Sequence, residues 1–143
     1  MRRTTVVAGL AMCCGIGVGL LGHGMLDAQQ MTEKRTVILT TDLEGMDGKE
    51  LRIWRTEIGP GVVGTKHYHP GIECNYVLEG SLILEREGEG PVTMNAGDAQ
   101  CARPRQVLVP RNASTTVSYK SVVFLIAEKG QPLAIPVKYP SDR

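Results

Sequence analysis

Two histidines one residue apart, in Gly61-Val62-Val63-Gly64-Thr65-Lys66-His67-Tyr68-His69-Pro70-Gly71-Ile72-Glu73, are the residues here best able to do chemistry. An extended strand sends alternate side chains to one face, so His67 and His69 point the same way. Pro70-Gly71 signals a turn, and the chain returning after it brings Glu73 back beside them. Two imidazoles and a carboxylate converging in this way make a ligand set for a divalent first-row metal. Three protein ligands leave coordination positions open to oxygen, water or a substrate.

The spacing resembles the first motif of the cupin superfamily: Gly, five residues, His-x-His, three residues, Glu, six residues, Gly. Gly61, His67, His69, Glu73 and Gly80 all fall in register with it. The second motif of that family runs Gly, five residues, Pro-x-Gly, two residues, His, three residues, Asn. Counted from Gly97, its frame closes on Asn112, but Arg103, Arg105 and Leu108 stand where Pro, Gly and His belong. An alkyl side chain cannot coordinate a metal. The chain has three histidines, and the remaining one is His23 in the N-terminal leader. The resemblance therefore implies a cupin fold and a metal site that has lost its fourth ligand. It implies iron, manganese, nickel, copper or zinc as the ion, held weakly or not at all.

Two side-chain groups near the missing ligand carry open readings. Gln106 lies two residues before Leu108, on the same face if that segment is extended, and its amide oxygen is either a weak fourth donor or a solvated loop group. Arg103 and Arg105, with Arg111 close behind, either draw carboxylates or phosphates to the mouth of a barrel or balance Glu85, Glu87 and Glu89 in solvent.

Residues 1–28 read as an export signal. Arg2 and Arg3 form a basic start, Val6 to Leu21 are uncharged and mainly apolar, and Ala28 supplies the small residue before a cut. An uncleaved anchor is the alternative, against which the Gly-rich apolar core is short. Cleavage takes two of the 16 basic and one of the 15 acidic side chains, leaving the formal charge balanced. A balanced domain has no electrostatic basis for holding nucleic acid or an anionic membrane. Cys74 and Cys101 remain, in a chain bound for an oxidising compartment. In the family's jelly roll the strands that carry them are neighbours, so they either form a disulfide or pack as two free thiols.

From Thr32 onward the chain is a series of short β-rich segments punctuated by glycine and proline, with no helical periodicity. Strands are expected over 35–41, 51–58, 62–69, 73–78, 81–86, 92–95, 99–103, 106–109 and within 115–127. Val122 to Ile126 reads as a strand buried on both faces, and Trp54 and Phe124 as packing residues. The prolines at 132, 136 and 140 keep the segment from 131 to 143 extended.

The expected fold is all-β: a small antiparallel jelly-roll barrel, the double-stranded β-helix, with about six to eight strands. Residues 29–143 form one domain, with a core over 35–130. The expected function is that of an exported cupin, periplasmic or secreted, which holds a divalent metal, a small organic ligand or both through His67, His69 and Glu73. The ending Glu128-Lys129-Gly130, Pro132-Leu133 and Pro136-Val137-Lys138 is similar to that of small exported quercetin-dioxygenase-like cupins, a label that says little about substrate. The alternative function is a metal-dependent oxygenase or isomerase of a small organic substrate, acting through the two histidines and Glu73. The expected partner is a small molecule, with no membrane insertion after cleavage and with a homodimer left open.

Overall fold

A computed structural model describes residues 32–137. The proposed leader and the last six residues lie outside that range. Ten strands make up the fold: β1 (Glu33–Asp42), β2 (Lys49–Ile58), β3 (His67–Tyr68), β4 (Ile72–Glu79), β5 (Ser81–Arg86), β6 (Val92–Asn95), β7 (Ala99–Ala102), β8 (Leu108–Asn112), β9 (Tyr119–Glu128) and β10 (Ile135–Pro136). They form two five-stranded sheets, ordered β1-β2-β9-β4-β7 and β10-β3-β8-β5-β6, with every pairing antiparallel. This is the all-β double-stranded architecture expected, built from more strands than expected.

Period-two alternation decides which residues face inward. In β5, Leu82, Leu84 and Arg86 share the inner face, and in β9 Tyr119, Ser121, Val123, Leu125 and Ala127 do. The inner faces enclose one cluster containing Ile58, Val77, Leu82, Leu84, Met94, Leu108 and Tyr119, and a second of Trp54, Val123, Leu125 and Ala127. Each fully buried aliphatic side chain contributes about 1.5–3 kcal/mol, so these clusters are the main source of stability.

Several segments depart from the expected pattern. Residues 62–66 are not a strand; one isolated bridge, Val63 to Arg111, ties them to β8. β8 begins at Leu108, because Pro104 and Arg105 form a turn that Gln106 and Val107 leave. The segment after Gly130 is more than an extended tail, since β10 pairs with β3. β9 is buried on one face only. Phe124 lies on the other at 38% exposure, between Ile53 of β2 and Cys74 of β4. An apolar residue on both sides of a strand hides which side is inside.

Cys74 and Cys101 face each other across β4 and β7 and are joined by a disulfide that closes a separation of 27 residues. The bridge lies on the outer side of the sheet, opposite Glu73.

Candidate functional site

His67 opens β3 and His69 follows its last residue; both are 4% exposed. Their rings lie edge to face with centroids 4.9 Å apart. Gly71 makes the return to β4 feasible, because a Cβ there would meet the Ile126 carbonyl oxygen at 1.9 Å. That glycine lets the chain pass against β9 and delivers Glu73, 7% exposed, to the inner face of β4. His67, His69 and Glu73 all line one narrow cavity of about 40 Å³ inside the barrel.

Both imidazoles are oriented by the backbone. His67 Nδ1 donates to the Thr65 carbonyl and His69 Nδ1 to the Leu133 carbonyl, each at 2.6 Å. A carbonyl can only accept, so the proton sits on Nδ1 and Nε2 keeps its lone pair, the tautomer that metal ligation uses. Burial pushes the His69 pKa down to about 4, partly opposed by the Leu133 hydrogen bond, and lowers that of His67 as well. Burial also raises Glu73 to about 7, against the pull of the Arg86 and Arg35 charges. Between about pH 4 and 7, His69 and Glu73 are thereby both kept neutral.

Leu108 is buried at 4% and pairs with His67 on one side and Arg86 on the other. The place of the missing histidine therefore faces the cavity, in a row His67–Leu108–Arg86 running across β3, β8 and β5. Trp54 supports the site from the opposite sheet, its ring centroid 6.0 Å from that of His69 and its Nε1 donating to Thr56 Oγ1. Asn75 and Gln100 face each other across β4 and β7 and also line the cavity. At its rim, Arg35 pairs with Glu33 at 2.5 Å. Glu33, Arg35 and His67 also border a wider open cleft, which gives the cavity an approach from solvent.

By donor type these residues suit a divalent ion: two oriented Nε2 lone pairs and a carboxylate share one cavity. The geometry is less complete. Among the described residues no group of three or more His, Cys, Asp or Glu side chains is disposed to hold a metal ion. His67, His69 and Glu73, which line one cavity, would hold it.

Of the residues in and around the second motif, Leu108 lines the cavity, whereas Arg103, Arg105 and Gln106 do not. The Gln106 amide is engaged away from the histidines: its Nε2 donates to Glu89 Oε1 at 2.9 Å and its Oε1 accepts from the Arg103 backbone. Arg103, 78% exposed, pairs with the same Glu89, and Arg111 pairs with Glu85, as solvated loop arginines would. Arg105 is exposed and has a φ of 62°, a left-handed conformation that a glycine would adopt without strain. Reasoning from sequence missed Arg86, Gln100 and the Leu133 carbonyl. The first could have been found, since Leu82 and Leu84 put residue 86 on their own face.

Residues 54–123 match the Cupin domain family. A comparison with curated proteins gives no match. Among solved structures, a cupin superfamily protein from Desulfitobacterium hafniense is 9% identical with a TM-score of 0.58, over 72% of this chain and 84% of that one. The DMSP lyase DddQ from Ruegeria pomeroyi is 18% identical with a TM-score of 0.62, over 83% of this chain and 58% of the enzyme. A cupin-like protein from Thermotoga maritima is 17% identical with a TM-score of 0.59, over 77% and 79%. At such identities the likeness is one of fold. The family match is confined to residues 54–123, and what the solved structures share with this chain is the double-stranded barrel fold.

Proposed function

We propose that this protein is an exported binding cupin whose barrel cavity holds a small organic ligand, with His67, His69 and Glu73 taking a divalent first-row metal weakly. The observation that carries this reading is Leu108, buried and facing the cavity between His67 and Arg86 where a fourth ligand would stand. With an alkyl group in that slot, the ion would be held by three donors. Iron and manganese, which accept mixed nitrogen and oxygen ligands, suit the set best. Export is supported by the Cys74–Cys101 disulfide, which persists in oxidising compartments. The apolar outer face around Ile72, Tyr76 and Phe124 suits a second copy of the chain.

Calorimetric titration of Mn²⁺ and Fe²⁺ into the protein tests the metal half. Binding that disappears in the His67→Gln/His69→Gln double variant is expected. Equal heats in both proteins would overturn it. An enzymatic reading has support in the DMSP lyase fold, and turnover that depends on added metal would favour it.

A further inference from the structure

The guanidinium of Arg86 is 8% exposed, on the inner face of β5. Its Nη1 pairs with Glu89 Oε2 at 3.3 Å, while Nε and Nη2 are buried and meet no acceptor among the described residues. Those two nitrogens form one edge of the guanidinium, with parallel N–H bonds spaced to match the two oxygens of a carboxylate. Leaving such an edge dry and unpaired costs several kilocalories per mole, so its retention calls for an occupant. A second polar atom of the lining, Gln100 Oε1, is likewise buried without a donor. The residues that carry this unmatched donor pair and this unmatched acceptor both line the cavity, among apolar walls from Trp54, Leu84, Leu108 and Val123.

We infer that the cavity recognises a small carboxylic acid bearing a hydroxyl or amino group, anchored by the Nε–Nη2 edge of Arg86. This inference rests on the reading of the cavity as a ligand site and names the ligand's class. A carboxylate is favoured over a phosphate because a doubly charged group loses more hydration in a narrow, mostly apolar cavity. The aliphatic remainder of the acid lies against the leucines, and Gln100 Oε1 accepts from its hydroxyl or amine.

The test uses lactate, propionate and lactamide with chelator-treated protein, so that no bound ion supplies the contact. Affinities are followed by NMR, together with the Arg86 Nε–H resonance, which the Arg86→Lys spectrum identifies. Lactate should bind at least tenfold tighter than lactamide and shift that resonance in the wild-type chain, which keeps the reading testable if a variant misfolds. Propionate should bind more weakly than lactate. Arg86→Gln should lower lactate affinity at least tenfold, and Arg86→Lys should lower it less. Lactamide binding as tightly as lactate, an unmoved Arg86 resonance, or undiminished binding by Arg86→Gln would overturn the carboxylate anchor. If butanol or xenon enters the cavity while no carboxylate does, the anchor falls and the ligand-site reading stands. If nothing enters, both fall.

Discussion

Two rows on the inner face of one sheet, four residues apart along β5 and β8, have opposite characters. In the row Asn112–Leu82–Met94 every polar group is committed. Asn112 Nδ2 donates to the carbonyls of Ile58, Gly59 and Val117, and its Oδ1 accepts from the Ser114 backbone. In the row His67–Leu108–Arg86 the backbone fixes the His67 imidazole and leaves its Nε2 open, while Arg86 keeps an unmatched edge. Both rows are buried. A buried polar group that has all its partners holds the fold together, and one that lacks them is held by the fold for something else.

The comparison is broken most directly by emptying the packed row. Leu82→Ala should lower unfolding stability by about 3–5 kcal/mol, from lost burial and the cavity left behind. Denaturant unfolding measures it, and a loss below about 1 kcal/mol would mean the row is not the core.

Glu73→Gln addresses the chemical end. With a folded pKa of about 7 against an ordinary 4.5, native Glu73 holds a proton that the unfolded chain has released. Between those values the native state binds more protons, so this group's contribution to stability declines as pH rises from 4.5 to 7. His69, shifted down to about 4, works the other way between pH 4 and 6.5. The difference between wild type and Glu73→Gln isolates the carboxyl: the variant should gain on the order of 3 kcal/mol relative to wild type across that window. Parallel stability curves would show that Glu73 is not forced to keep its proton.

Leu108→His should raise Mn²⁺ or Ni²⁺ affinity by roughly tenfold or more, about 1.4 kcal/mol, by filling the vacant ligand place between His67 and Arg86. Unchanged or weaker binding would show that residue 108 cannot reach the ion. The smallest effect is expected at Arg105→Gly. Relieving a left-handed conformation that a side chain resists should stabilise the protein by about 0.5–1 kcal/mol in thermal unfolding.

Local spacing made much of this legible in the sequence. The interval from Gly61 to Gly80 placed two histidines and a glutamate in one cavity, and the frame from Gly97 to Asn112 located the missing ligand at Leu108. Non-local features were hidden. Gln106 was read as extended, but the turn at Pro104-Arg105 sends its amide to Glu89. Arg86 sits between Glu85 and Glu87 and looks like one more solvated charge until alternation from Leu82 is followed to the strand's end. Phe124 could not be placed because both faces of β9 are apolar, and burial there depends on whether another layer covers it.

The hydrogen bond from His69 to Leu133 joins residues 64 positions apart. It also sets an order in time. A chain emerging from the ribosome shows both histidines long before it has made the carbonyl that aims one of them, and β10 arrives two residues later still. Maturation of the site waits for the closing stretch of the domain, and a cut ahead of Leu133 would leave most of the barrel's strands in place with His69 unaimed.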